Sequence, residues 1–430
     1  MERKIANDLL KWKNNPLRKP LILTGARQVG KTYSVLNFGK NHYKNTVYFS
    51  MEESREIEAI FERDLNPERL IRELSAQSGQ SIFPGDTLII FDEIQACERA
   101  LTSLKYFCEN APEYHIIATG SLLGIALNRE NYSFPVGKVD MLTMFPLDFE
   151  EFLLVTENVT LREMIRESYS NFTPLSLHEK ALDMYRIYLV VGGMPQAVLA
   201  YLNTKDFNFV TAAQKSLNDA YIADMAKYAT AQETTKIMAA WASIPAQLAK
   251  ENHKFQYKVI KSGARAYKYE TSLDWLKFAG IVHKCIRITE GKIPLAAYAD
   301  NDSFKVYMMD TGLLCSKFGI AAHMVMNRVS AFDGFKGALA ENYICQNLVT
   351  SGFLPYYWSS PGKAELDFVF QDRNGIVVPL EGKSADNVRS KSMNQFVSRY
   401  KSEYAIRTST KNFGYENGIK SIPLYALFCL

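Results

Sequence analysis

The chain is poor in the groups that build sulfur–metal centres or membrane spans. Its six cysteines (Cys97, Cys108, Cys285, Cys315, Cys345 and Cys429) stand far apart in 430 residues and form no CxxC pair. That spacing argues against a zinc site or a disulfide framework and for a reducing compartment. The histidines (His42, His115, His178, His253, His283 and His323) show no ligand spacing and read as structural. Neither sign of charge dominates. The net charge of +4 means that attraction to nucleic acid would have to come from local patches, not a global field. Long apolar runs are missing as well: the N-terminus, MERKIANDLLKWKNN, lacks the core of a signal peptide. The longest apolar stretch, Ile187 to Leu202, is broken by Gly192-Gly193 and Pro195 and falls short of the roughly 20 residues that span a bilayer. The expectation is a cytoplasmic protein without a membrane partner.

What the chain does have is ample material for packed cores. Apolar residues make up 47% and charged residues 22%, an ordinary globular balance, and the length suggests about three domains. Over the first 150 residues, strand and helix signals alternate. Leu21-Ile22-Leu23, Thr46 to Ser50, Thr87 to Phe91, His115 to Thr119 and Val139 to Phe145 read as buried strands, which predicts a parallel sheet with crossover helices. From Glu150 to Ala240 the pattern is helical, opened by PLDFEEFL. Residues 235 to 320 read as helix (Thr235 to Lys250), a basic segment, a helix near Glu270 to Ala279, and two β-rich runs, Val282 to Thr289 and Phe304 to Met309, with a polar turn at Asp300 to Ser303. Helix, helix and β-ribbon outline a winged helix. A further unit starts after Ala331 with a helix (Gly337 to Ser351) and ends in a hairpin and a basic tail.

Two short motifs carry chemistry. LILTGARQVGKTY places Gly25-Ala26-Arg27-Gln28-Val29-Gly30-Lys31-Thr32-Tyr33 after an apolar strand and at the mouth of a helix, the context a phosphate-binding loop requires. Glycines turn backbone N–H groups toward the β-phosphate, and the helix N-terminus adds a favourable dipole. Lys31 would neutralise the β- and γ-phosphates of ATP, and the Thr32 hydroxyl would ligate Mg²⁺. TLIIFDEIQ adds Asp92 as a second metal ligand and Glu93 as general base for the attacking water. A third strand, HIIATGS, ends at Thr119, where a hydroxyl could orient that water. Arg129 and Lys138 are candidates for a cation reaching a neighbouring subunit, an arrangement that leaves a homo-oligomer open; each also reads as a surface charge.

The segments GARQVGKT, IIFDEIQ, ATGSLL, PLDFEEF, GGMPQAV and FKVYMMDTGLL together resemble the prokaryotic, archaeal-type ATPases of the AAA superclass with a C-terminal DUF4143 domain. The resemblance implies an α/β chain: a P-loop NTPase domain of AAA type (1–150), a helical lid (151–234), a winged helix (235–325) and a C-terminal restriction-endonuclease-like, PD-(D/E)xK nuclease-like α/β domain (326–430). Where the family usually has Gly-Arg before PLxF, this chain has Gly137-Lys138, and Lys lacks the planar fork of Arg.

The basic segment holds Lys254, Lys258, Lys261 and Arg265 with Tyr257, Tyr267 and Tyr269 interleaved and Glu251 the sole acid. Cations for phosphates and rings for sugars or bases suit a DNA-facing surface, although a solvated helix face would look the same. In AELDFVFQDRNGIVVPLEGKS, Asp367 and Glu381 are symmetric about Asn374. A three-residue loop, Arg373-Asn374-Gly375 with Gly375 at φ > 0, would set them opposite each other with Lys383 on the same face. A two-residue turn would split them between faces. With Glu341 on the preceding helix, Asp367 and Glu381 resemble the metal ligands of a PD-(D/E)xK nuclease, with Glu381 and Lys383 as catalytic groups. Gly382 departs from that pattern, which has an apolar residue there. The function expected is a Mg²⁺-dependent ATPase acting on DNA, with nucleotide state gating the tethered nuclease-like domain. The alternative is a nucleotide switch that binds a protein partner, its nuclease-like domain a silent scaffold.

Overall fold

The computed structural model describes residues 1–430 except 2, 54, 122–133, 251–253, 327–332, 361–363 and 384–390. It divides into two compact units, residues 1–145 with 278–280, and residues 146–277 with 281–430.

Among the described residues the first unit is built on five strands: β1 (Leu21–Thr24), β2 (Asn45–Ser50), β3 (Thr87–Asp92), β4 (His115–Thr119) and β5 (Asp140–Thr143). All pair in parallel in the order β2-β3-β4-β1-β5. β3 and β4 are buried along their whole length, which explains why they read as unbroken apolar runs and not as alternating ones. The helices Arg55–Glu62, Pro67–Ser78 and Glu98–Asn110 supply Phe61, Leu70, Leu74, Leu101, Leu104 and Phe107 to a core with Ile89 and Phe91 of β3. Asn66 caps one of them by accepting from the Arg69 N–H, with Pro67 in its first turn, an entry signal readable in the sequence.

The second unit starts helical. Helix Phe149–Val155 opens with a capping box between Asp148 and Glu151, and helix Ala231–Leu248 with one between Thr230 and Glu233. Between helices His178–Val191 and Pro195–Thr204, the Gly192-Gly193 turn lies against a neighbouring backbone: a Cβ on Gly193 would stand 1.9 Å from the Leu147 carbonyl oxygen. The Gly193 carbonyl accepts from the Leu147 N–H at 2.7 Å, and the Gly193 N–H donates to the buried Asp310 carboxylate at 2.5 Å. Gly193→Ala should therefore destabilise the second unit by about 3 kcal/mol, the upper end of overpacking costs. Urea unfolding checks this, and a midpoint equal to the wild type would contradict the close approach.

Among the described residues the unit's sheet has eight strands: β6 (Val282–Ile288), β7 (Ala299–Met308), β8 (Tyr356–Ser359), β9 (Glu365–Gln371), β10 (Val377–Gly382), β11 (Ala405–Ser409), β12 (Gly414–Glu416) and β13 (Ile419–Pro423). Their order is β12-β13-β11-β10-β9-β8-β6-β7. The antiparallel ribbon β6–β7 does not stand free, because β6 also pairs in parallel with β8. The sheet thus runs across both sides of position 326. The expected polar turn at Asp300 to Ser303 is strand: β7 begins at Ala299 and accommodates the polar run at a register shift between Ile286 and Arg287 of its partner. A bulge lets exposed polar residues continue a strand that the period-2 pattern alone would end. Helix Asp333–Thr350 packs on β6, β7 and β10.

Candidate functional site

In the first unit, β1 runs straight into the glycine-rich loop. Gly25 has φ +137°, and a Cβ there would lie 2.1 Å from the Met144 carbonyl oxygen, so the loop and the end of β5 approach at a distance only glycine allows. Gln28 and Gly30 also take positive φ, 65° and 98°, and Gly30 caps helix Lys31–His42. The loop is pinned from outside by Arg3, whose buried guanidinium donates to the carbonyls of Val29 (2.9 Å) and Phe145 (2.7 Å). Arg3 carried no signal in the sequence; it lies well upstream of the motif it supports.

Lys31 Nζ donates to the carbonyls of Gly25 (3.0 Å) and Ala26 (2.9 Å). Burial pulls its pKa down to about 8, against the opposing influence of Glu93 and Asp92. Thr32 Oγ1 donates to both Asp92 carboxylate oxygens, at 3.1 and 3.0 Å. Thr119, at the end of β4, also donates to Asp92. The strand order explains this meeting, since β4 lies between β1 and β3 and all three point the same way. Ligands in open parallel sheets collect beyond the carboxyl ends of such strands. Tyr48, from β2, adds a hydroxyl to Asp92 at 2.7 Å. It was missed because an aromatic in an apolar strand reads as packing.

Glu93 sits in the left-handed region (φ 50°, ψ 48°), outside the ordinary range for an acid at a strand end. Its Oε2 accepts from Ser121 Oγ at 3.2 Å and from the Gln95 amide. The expected loop, acids and Thr119 are therefore brought together. Lys138 instead pairs with Glu109 at 2.8 Å on the surface, and Arg129 lies outside the described residues.

In the second unit, short helices Tyr257–Ile260 and Ala266–Phe278 follow helix Ala231–Leu248. Lys258, Lys261, Arg265 and Lys268 are exposed, and Tyr267 is 69% exposed. The other two tyrosines turn inward: Tyr269 is buried, and Tyr257 stands edge-on to Phe304. Helical period explains the difference, because Tyr269 falls on the face that carries Ser272, Leu273 and Leu276 into the core. Lys254 pairs with Glu365 at 3.8 Å.

The β9–β10 hairpin has the longer turn. Val377 faces Gln371 and Leu380 faces Phe368, Asp372 N–H donates to the Ile376 carbonyl at 2.9 Å, and Gly375 has φ 84°. That register continues to bring Asp367 level with Glu381. The Asp367 carboxylate accepts from the Gly382 N–H at 2.9 Å, and Lys383 Nζ stands 2.8 Å from Glu381. A Cβ on Gly382 would lie 2.5 Å from Ile344 Cδ1, so a larger residue there would require the end of that side chain to shift.

Burial pushes the Asp367 carboxyl up to about 7, with Glu341 and Glu381 adding to the rise and Lys305 and Lys383 opposing it. Glu341 accepts from Tyr307 at 2.8 Å and has Lys305 Nζ at 3.6 Å. Glu381 is buried, and its Oε2 has no hydrogen-bond partner among the described residues. Among the described residues no three His, Cys, Asp or Glu side chains form a group that could hold a metal ion. The sequence did not point to Lys305, a single cation inside an apolar strand.

Residues 17–153 match an AAA domain, residues 182–323 a domain of unknown function (DUF8612), and residues 336–427 a domain of unknown function (DUF4143). No curated protein matches. Among solved structures, the Walker-type ATPase PABY2304 of Pyrococcus abyssi is 15% identical, covering 74% of this chain and 95% of its own at a TM-score of 0.46. The Aeropyrum pernix ORC1 protein in complex with DNA is 12% identical, covering 79% and 91% at a TM-score of 0.31. No helix among the described residues is long and apolar enough to cross a membrane. The chain thus carries an AAA domain over residues 17–153 and a DUF4143 domain over residues 336–427.

Proposed function

We propose that the chain is a Mg²⁺-dependent ATPase that acts on DNA and whose nucleotide state governs its C-terminal domain. One observation carries the ATPase chemistry: the Thr32 hydroxyl, the Asp92 carboxylate and the Thr119 hydroxyl meet beside Lys31 and Glu93. A hydroxyl next to a carboxylate is a hard-oxygen donor set that suits Mg²⁺, which when bound would neutralise the β- and γ-phosphate oxygens. Residues 25–33 cradle the phosphates through backbone N–H groups. Lys31 moves its ammonium from loop carbonyls to phosphate oxygens. Glu93 takes the proton of the attacking water, with Thr119 and Ser121 fixing the acid and the water in place.

DNA is the partner best suited to the exposed Lys258, Lys261, Arg265 and Lys268 around Tyr267. Replacing Lys258, Lys261 and Arg265 by alanine should weaken binding alike for all sequences. It should also flatten the dependence of log K on log salt by about 2 to 3 units, near 0.9 per phosphate contact. Fluorescence anisotropy over a salt series measures this; an unchanged slope would leave the basic segment a solvated face.

A second reading keeps the ATPase and makes the nuclease-like domain a catalytically silent scaffold for a protein partner. The burial of Lys305 beside Glu341 and Glu365 favours it.

A further inference from the structure

Lys305 comes from β7, the outer strand of the ribbon, yet its side chain is only 2% exposed. Its Nζ lies 2.9 Å from Glu365 of β9 and 3.6 Å from Glu341 of helix Asp333–Thr350. The ammonium also stands 5.1 Å from the centre of the Tyr357 ring. Tyr307, two residues along the same strand, donates to the same Glu341 oxygen that faces Lys305. Lys254 forms a backbone bridge opposite Lys305 and reaches the other oxygen of Glu365. Two lysines from the ribbon and the basic segment are thus threaded into the acids of the C-terminal hairpin.

A buried ammonium is stable only where acids surround it, and buried acids need a cation. The Lys305 charge is sustained against burial by Glu341, Glu365 and Asp367. Both needs are met here without an added ion. Glu341 and Glu365 already have a cation, and Glu381 has Lys383.

We infer that Lys305 is the resident counter-cation of Glu341 and Glu365, that its ammonium excludes a divalent ion from these acids, and that it ties the β6–β7 ribbon and the basic segment to the C-terminal hairpin. This inference deepens the silent-scaffold reading and rests on it. The acids serve as an ion-pair joint between the basic segment and the C-terminal hairpin, and a divalent ion gains access to them only when the ammonium is removed.

The test is a Mn²⁺ titration, followed by the electron-spin resonance of free Mn²⁺, on the full chain carrying Lys31→Ala and without nucleotide. The expected result is no binding that depends on Glu341 up to about 1 mM Mn²⁺, the weak end of protein divalent sites. Adding Lys305→Met should create such a site, which Glu341→Gln then removes. Glu341-dependent binding with Lys305 in place overturns the inference, as does a folded Lys305→Met chain that gains no site. If Lys305→Met does not fold, Lys305→Arg decides: it keeps the cation, so it should bind no Mn²⁺, and a gain of binding overturns the proposal. Incubation with DNA and Mn²⁺ separates the two failures. Cleavage without Glu341-dependent binding sinks the scaffold reading alone, and binding without cleavage sinks only the role of Lys305.

Discussion

Lys31→Ala is expected to lower ATP affinity by about 100-fold or more, the loss of a charge-assisted contact to phosphate in a partly buried site. The fold should survive, because Lys31 is buried with, among the described residues, loop carbonyls as its hydrogen-bond partners, and its charge is already disfavoured there. The same displacement sets a pH dependence. The ammonium form is the one that meets phosphate, and in the free protein it is lost as pH rises through about 8. Affinity should therefore weaken above that pH, while Lys31→Arg, which stays charged, should remove the dependence. Equilibrium binding of a fluorescent ATP analogue measures both effects. Wild-type affinity in Lys31→Ala would mean that the loop is not the nucleotide site.

Glu93→Gln separates binding from chemistry. The amide keeps an oxygen for Ser121 and Gln95, so the left-handed backbone at residue 93 and its surroundings persist. What it loses is the capacity to accept a proton. Turnover should drop by about 10²- to 10⁴-fold, the usual span for a general base, with ATP affinity within a few-fold of wild type. Single-turnover hydrolysis alongside equilibrium binding reads the two separately. Normal turnover would remove Glu93 as the base, and a parallel loss of affinity would make it a binding residue.

Much of the first unit was legible because its chemistry is local. The loop, Asp92-Glu93 and Thr119 each end a buried strand, and a parallel sheet brings strand ends together. Arg3 and Tyr48 were not legible, since their roles depend on which elements become neighbours. In the second unit the sequence left two turns open around Asn374-Gly375, and the pairing adopts the three-residue one with Gly375 at positive φ. The ribbon was harder. Its two strands and preceding helices were visible in the sequence, but nothing local tells β6 to pair with β8, which lies far along the chain. That long-range pairing carries Lys305 into the acids. A cation in an apolar strand reads as an outlier until its partners are known.

The most direct test of the account is steady-state ATP hydrolysis in Mg²⁺ with and without duplex DNA, repeated over a salt series. The account predicts turnover that requires Lys31 and Glu93, rises on adding DNA, and loses that rise as salt increases or when Lys258, Lys261 and Arg265 are replaced. Turnover that depends on Lys31 and Glu93 but stays the same with DNA at every salt concentration would contradict action on DNA.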